Sequence, residues 1–162
     1  MKKLVVFYSL DGSTKFIANI IAEKTGAELL ELKPIKPISS KGFGKMFWGG
    51  KQVMMKHKPD LEPFDKDPQD YDLIFIGTPV WAWTFTPALR TFFSQVKLQN
   101  KKIALFDCNG GQPKDTLNDM AKELEGNEII GQYEFEEPIK RQEAAREMAE
   151  KWAGEVLNKL NE

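Results

Sequence analysis

The sequence predicts an α/β fold in which a parallel β-sheet lies between two layers of helices. Along the 162 residues, short apolar runs of strand character alternate five times with helical patterns. The runs at residues 4–8, 73–77 and 103–107 are almost continuously apolar, which is typical of parallel strands covered by helices on both faces. Because crossovers between parallel strands are right-handed, this alternation predicts a doubly wound, three-layer sandwich.

The other elements follow from periodicity and from end signals. Apolar residues at helical spacing predict four helices, at residues 14–24, 86–96, 113–124 and 141–160. Pro87 suits a first helical turn, and Gly26 suits the position just after a helix. Residues 28–32 form a partly polar strand that suits a sheet edge, and residues 128–135 supply the fifth strand.

Composition and charge narrow the class of protein. The formal net charge of −1 provides no global field that would favour nucleic acid. No apolar run approaches the ~20 residues of a membrane span, and the run at residues 4–7 is too short for a signal peptide. Cys108 is the only cysteine, so no internal disulfide can form, which agrees with a reducing compartment. We therefore expect one cytoplasmic domain over residues 1–162.

One connection is longer than a simple crossover needs. Residues 33–72 join strands two and three; the part at 33–58 carries seven lysines and no acid, and 59–72 carries six acids and one lysine. The lysines form either a solvated face or a docking site. This connection also contains large apolar side chains, for which three roles are open: packing in the core, covering a ligand or contacting a partner. These side chains are Phe43, Met46, Phe47 and Trp48. The single histidine, His57, is expected to be solvated, and no metal cluster is predicted.

Three loops are predicted at the carboxyl ends of the central strands, where ligands bind in open parallel sheets. Residues 9–14 carry hydroxyls and one glycine directly before a helix, and a helix N-terminus with free N–H groups binds anions. Residues 78–86 contain two tryptophans, and residues 108–112 contain two glycines that allow close backbone approach. The first loop suits a phosphate group, the second offers aromatic side chains, and the third lets the backbone approach a ligand closely. Together they predict a site for a flat phosphorylated ligand.

The run Ser9-Leu10-Asp11-Gly12-Ser13-Thr14 matches the pattern Ser/Thr-x-Thr-Gly-x-Thr of the flavodoxin phosphate loop, and the whole chain resembles a flavodoxin. The resemblance implies FMN as cofactor and the known flavodoxin strand order 2-1-3-4-5. It also implies that the loops after strands three and four flank the flavin. The cofactor-binding residues it implies are Ser9, Asp11, Gly12, Ser13, Thr14, Thr78, Pro79, Val80, Trp81, Ala82, Trp83, Asp107, Cys108, Asn109, Gly110 and Gly111.

The chain departs from the family pattern in three ways. Asp11 stands where threonine is common, and a carboxylate ~4 Å from a phosphate charge is repelled by about 4 kcal/mol at a dielectric of ~20. We expect Asp11 to turn away and contact backbone or a ribityl hydroxyl, with Lys15 offsetting part of its charge. Residues 80–83 lack the glycine beside which flavodoxins commonly flip a peptide to stabilise the one-electron-reduced flavin. Finally, the chain is nearly neutral, whereas carriers of this family are usually acidic.

Ordinary structural roles stand beside these functional ones. Residues 9–14 could be a simple strand-to-helix turn, Trp81 and Trp83 could pack on neighbouring helices, and Cys108 could be a buried structural thiol. Trp152 lies on a helical stripe and is expected in the core. The glycine patterns of dinucleotide-binding and nucleoside-triphosphate loops are absent, as are the residues of a cysteine phosphatase or a phospho-receiver domain.

The leading hypothesis from the sequence is an FMN-binding electron-transfer protein. Its alternative is an FMN-dependent NAD(P)H oxidoreductase acting on quinones or similar acceptors, and a third is a binding module without redox activity. We expect redox partner proteins or a small-molecule acceptor, no nucleic acid, and a monomer or homodimer.

Overall fold

The computed structural model describes residues 1–36 and 58–162. In it, five strands form one parallel sheet in the order β2-β1-β3-β4-β5. The strands are β1 (Lys3–Phe7), β2 (Glu28–Glu31), β3 (Leu73–Pro79), β4 (Lys102–Asn109) and β5 (Glu128–Glu136). The predicted fold class and strand order are confirmed.

Four α-helices are described: α1 (Ser13–Thr25), α2 (Pro87–Gln95), α3 (Thr116–Lys122) and α4 (Gln142–Lys159).

The prediction that Pro113 opens α3 is wrong. The Pro113 carbonyl instead accepts hydrogen bonds from the amide and the hydroxyl of Thr116, and Lys114 has a positive φ that no α-helix contains. The start of α4 also differs by one residue, because a 3-10 turn over Pro138–Arg141 precedes it. A second short 3-10 turn covers Pro68–Asp70.

The core consists of two hydrophobic clusters, one on each face of the sheet. Alternate residues of β3 divide between them: Ile74 and Ile76 face the cluster under α2 and α3, whereas Phe75 faces the cluster under α1 and α4. Trp152 of α4 packs edge-on against Phe75, with ring centroids 5.8 Å apart, so its predicted core position is confirmed. None of the described helices is long and apolar enough to cross a bilayer.

The long connection between β2 and β3 is held at both of its described ends. Pro34 and Leu61 form an antiparallel bridge, and the Thr91 hydroxyl of α2 donates to the Pro59 carbonyl at 2.7 Å. Residues 37–57 lie outside the described residues, and with them the expectations for Phe43, Met46, Phe47, Trp48, His57 and most of the lysines.

Gly77 allows the closest packing in the sheet and gives a direct stability test. A Cβ at Gly77 would lie 2.1 Å from Cζ of Phe106. We expect Gly77→Ala to lower the free energy of unfolding by at least the ~1–3 kcal/mol typical of overpacked cores. Urea denaturation of the cofactor-free protein measures this.

Gly154→Ala is the matched control. Its new methyl group would meet only Cε of Lys24, at an ordinary 3.7 Å, in the interior of α4. This variant should gain up to about 1 kcal/mol of stability through helix propensity. Equal effects of the two substitutions would contradict the packing argument.

Candidate cofactor-binding cleft

A cleft of about 470 Å³ lies at the carboxyl ends of the central strands. The loops after β1, β3 and β4 form three of its walls, as the sequence predicts, and the segment after β5 forms a fourth. Its lining residues are Leu10, Asp11, Ser13, Pro79, Val80, Trp81, Cys108, Asn109, Gly110, Glu137, Pro138, Ile139 and Lys140.

The loop after β1 presents the N-terminus of α1 to the cleft. Gly12 has a φ of +100°, a left-handed conformation that favours glycine, and α1 begins at the next residue. The Asp11 carboxylate accepts a hydrogen bond from the Ser13 amide at 2.9 Å, so Asp11 contacts backbone as expected. Lys15 is less available than expected, because its Nζ lies 3.6 Å from a Glu31 carboxylate oxygen.

Two hydroxyls at this helix end suit a phosphate group. Ser13 lines the cleft at the first position of α1. The Thr14 hydroxyl is buried and has no hydrogen-bond partner among the described residues, apart from the weakly hydrogen-bonding Cys108 thiol close to it. Since an unsatisfied buried polar group destabilises a fold by about 1–3 kcal/mol, its presence at a helix N-terminus fits a site completed by a ligand.

Cys108 lines the cleft but is only 5% exposed, and this burial determines the protonation state of its thiol. Burial raises the pKa of the thiol, and the nearby Thr14 hydroxyl counteracts only part of that shift. Cys108 is therefore a neutral packing group at neutral pH, in agreement with its predicted structural role.

The loop after β3 folds as a tight turn in which Trp81 and Thr84 exchange two backbone hydrogen bonds of 2.9 and 3.0 Å. The two residues between them have positive φ: Ala82 at +49° and Trp83 at +66°. Both central residues are left-handed, as in the type I′ turn that usually carries Asn or Gly. Residues 80–83 lack the glycine that flavodoxins commonly carry here, and the loop adopts positive φ at two non-glycine residues.

The two tryptophans of this loop have different environments. Trp81 is 7% exposed, lines the cleft and packs edge-on against Tyr8, with ring centroids 5.7 Å apart. Trp83 is 46% exposed and does not line the cleft. Trp81 is therefore the indole of the cleft wall, and Trp83 stands at the surface beside it.

The loop after β4 is held by a chain of hydrogen bonds that starts at Asp107. Asn109 Nδ2 donates to Asp107 Oδ1 at 2.8 Å, and the Gly111 amide donates to Asn109 Oδ1 at 2.8 Å. The other carboxylate oxygen of Asp107 has no hydrogen-bond partner among the described residues. The pKa of Asp107 is raised to about 7: burial is the largest cause, the hydrogen bond from Asn109 lowers the pKa, and the neighbouring Glu134 adds to the rise.

The fourth wall, residues 137–140, was not predicted. The Glu137 amide donates to the Asn109 carbonyl at 2.8 Å, which fixes this segment against the loop after β4. The signal available in the sequence was the parallel arrangement itself, since the carboxyl end of β5 lies at the same edge of the sheet as the other three. Pro138, directly after the acidic end of β5, marks where the chain turns.

Half of the predicted binding residues line the cleft: Asp11, Ser13, Pro79, Val80, Trp81, Cys108, Asn109 and Gly110. The others lie in the same loops but outside the lining: Ser9, Gly12, Thr14, Thr78, Ala82, Trp83, Asp107 and Gly111. Some of these have structural roles, for example Ser9, whose hydroxyl accepts from the Lys15 amide, and Thr78, whose hydroxyl accepts from the Thr86 amide. Ligand contact by any of the sixteen stays a prediction.

Fold and cleft together define a doubly wound α/β protein with a ligand cleft at its topological switch point. The family model described as flavodoxin matches residues 2–152, so the chain belongs to the flavodoxin family. The family resemblance seen in the sequence is thereby confirmed.

Individual relatives agree with this assignment. A flavodoxin-like domain-containing protein, BilS of Clostridioides difficile, is 28% identical over 141 residues, which cover 82% of this chain. The chain spans only 64% of that relative's length. A flavoprotein of Lactobacillus acidophilus in complex with FMN is 25% identical with a TM-score of 0.66, covering 86% of this chain and 97% of its own. A flavoprotein structure from Bacteroides uniformis has a TM-score of 0.77 at 23% identity, covering 93% and 96%.

The turn after β3 generates a stability prediction. A left-handed non-glycine residue is destabilising by about 1–2 kcal/mol, whereas glycine loses ~0.5–1 kcal/mol more backbone entropy on folding. Ala82→Gly should therefore stabilise the cofactor-free protein by about 0.5–1 kcal/mol in urea denaturation. Ala144→Gly, at an exposed position of α4, is the control and should be destabilising. Loss of stability in Ala82→Gly would rule out strain at this turn.

Asp107 generates a pH prediction. Its pKa rises from 3.8 to about 7 on folding. Between these values the folded protein holds a proton that the unfolded chain has released, so stability falls as pH rises, by about 1.4 kcal/mol per pH unit. Asp107→Asn removes this term. The free energy of unfolding of Asp107→Asn should therefore increase relative to that of the wild type between about pH 4 and pH 7. Above pH 7 the difference between the two proteins should stay constant. A difference that does not change with pH would contradict the raised pKa.

Proposed function

We propose that this protein binds FMN in the cleft and transfers electrons between partners. FMN is the cofactor that the family and the flavin-bound Lactobacillus relative both support. The observation that carries the proposal is the cleft itself. It joins a helix N-terminus bearing hydroxyls to an indole-lined wall, at the switch point of the sheet.

At the phosphate end, neutral groups provide the binding. The Asp11 carboxylate is occupied by the Ser13 amide, and the Lys15 ammonium faces Glu31. Hydrogen bonds from hydroxyls and amides to a charged group contribute about 1.5–3 kcal/mol each, whereas the helix dipole contributes ~0.3–1 kcal/mol. The Ser13 hydroxyl and the partnerless Thr14 hydroxyl are the groups we assign to the phosphate.

At the ring end, residues of two neighbouring strand ends line the cleft. Pro79, Val80 and Trp81 come from the loop after β3, and Asn109 and Gly110 come from the loop after β4. An aromatic contact adds about 0.5–1.5 kcal/mol beyond the area it buries. We assign the flavin ring system to the space between these walls.

Two points support electron transfer as the function: the redox chemistry of FMN and the apolar side chains that the protein exposes at the cleft. FMN carries one- and two-electron chemistry by itself, and the protein contributes binding, orientation and electrostatics. The protein exposes three large apolar side chains here: Leu10 at 38% and Ile139 at 42% in the cleft lining, and Trp83 at 46% beside the cleft. Such side chains suit contact with a protein partner, which supports a carrier.

The decisive experiment combines a spectrum with rapid mixing. The purified protein, loaded with FMN, should show a flavin visible spectrum at one flavin per chain that bleaches on stepwise anaerobic reduction. A colourless protein that ignores added FMN would refute the proposal. In stopped-flow mixing with NADH or NADPH the flavin of a carrier stays oxidised, whereas rapid bleaching would assign the oxidoreductase alternative instead.

Ser13 tests the phosphate end separately. Removing one hydrogen bond to a charged group should weaken FMN binding by about 10- to 150-fold in Ser13→Ala, as follows from ~1.5–3 kcal/mol. Riboflavin lacks the phosphate, so its affinity should stay unchanged, and both are measured by quenching of flavin fluorescence. Ser94→Ala removes a hydroxyl that bonds only the Thr91 carbonyl and is the control. Equal losses for both flavins would place the phosphate elsewhere.

A further inference from the structure

Asp107 is the one fully buried carboxyl group among the described residues. No described salt bridge includes it, and one of its oxygens has no hydrogen-bond partner. A buried carboxyl without a cation destabilises a fold whether it ionises or keeps its proton. The described structure therefore retains a group that an apolar residue could replace with a gain in stability, and this points to a role beyond packing.

The one hydrogen bond that Asp107 makes determines the orientation of a neighbouring side chain. An amide side chain has a donor end and an acceptor end. Because the Asp107 oxygen accepts, the donor end of Asn109 must face it, and the acceptor end is left for the Gly111 amide at 2.8 Å. Without an acceptor at position 107, the Gly111 amide would be the only described group that still favours this orientation over the reversed one.

Asn109 connects two walls of the cleft. Its side chain closes the turn to Gly111, whose φ of +118° only glycine adopts easily. Its backbone carbonyl accepts from the Glu137 amide at 2.8 Å, which anchors the fourth wall. Asn109 lines the cleft, whereas Asp107 does not.

We propose that Asp107 is a positioning residue for flavin binding that acts through Asn109. Its carboxyl orients the Asn109 amide, which holds the loop after β4 in the shape that receives the ring system. This inference rests on the proposed function and changes the role predicted for Asp107 from direct contact to support. The charged group nearest on β5 is Glu134, its register partner, which touches neither Asn109 nor the cleft lining in the described bonds.

The first experiment measures the affinity of three variants for FMN and for riboflavin. Asp107→Ala removes the acceptor, and we expect both affinities to fall at least tenfold and by the same factor, because the ring wall changes and the phosphate end does not. Asp107→Asn keeps an acceptor oxygen for Asn109, so it should bind both flavins within threefold of the wild type. Glu134→Gln removes the neighbouring charge alone and should leave both affinities unchanged.

A double-mutant cycle tests the route of action. Asn109→Ala should lose as much affinity as Asp107→Ala, and the double variant should lose no more than either single one. Additive losses, or an Asp107→Ala protein that binds like the wild type, would overturn the inference. Urea denaturation of each cofactor-free variant tests whether any loss arises from unfolding. Should Asp107→Ala not fold, unimpaired binding by Asn109→Ala would overturn the inference equally.

These outcomes separate the two proposals. A wild-type protein that binds neither flavin would refute the proposed function and the inference together. Binding by the wild type, with equal binding by Asp107→Ala, would refute the inference alone.

Discussion

The cleft depends on one row of the sheet, in which Phe7, Gly77 and Phe106 lie side by side on β1, β3 and β4. Gly77 has no side chain, and the ring of Phe106 occupies the space that a Cβ would fill. This close packing fixes the relative height of three neighbouring strands within three residues of the carboxyl end of each. Since parallel strands share one direction, three loops distant in sequence then meet at one edge. A shift of any of these strands would separate the phosphate end of the cleft from its ring end.

The fold and three walls of the cleft could be predicted because they follow from local signals. Continuous apolar runs identified the central strands. Because these strands are parallel, their carboxyl ends lie at one edge of the sheet, and so do the loops that follow them. The fourth wall depends on register, which the sequence does not reveal. A bulge between Ile129 and Gly131 adds one residue to β5, so that Asn109 pairs with Glu136 and the next residue reaches the cleft. Similarly, a proline predicts a helix start only if the residue after it is helical. Lys114, which follows Pro113, has a positive φ, so no helix begins at Pro113.

Two features of the cleft are locally unfavourable. The turn after β3 places two non-glycine residues in the left-handed region, and β4 buries a carboxyl group without a cation. Conformational strain and unsatisfied polar groups concentrate at functional sites because the surrounding structure holds them in place. The first feature lies in the loop after β3 and the second near the end of β4, on either side of the space assigned to the ring. The hydrophobic β3 and β4 residues before them are fully buried in the core.

The charges of the described cleft lining favour the proposal that neutral donors bind the phosphate. Among the described lining residues the charged side chains are Asp11, Glu137 and Lys140, and Lys140 Nζ lies 3.1 Å from a Glu137 oxygen. With that pair internally balanced, Asp11 leaves the described part of the cleft lining without a net positive charge. An anion held there by ion pairing would have to compete with these carboxylates, whereas hydroxyls and helix N–H groups attract a phosphate without that competition. Asp11 even assists, because its bond to the Ser13 amide closes the turn that presents the Ser13 hydroxyl to the cleft. Asp11, which the sequence analysis expected to repel a phosphate, is thus part of the structure that shapes the proposed phosphate site.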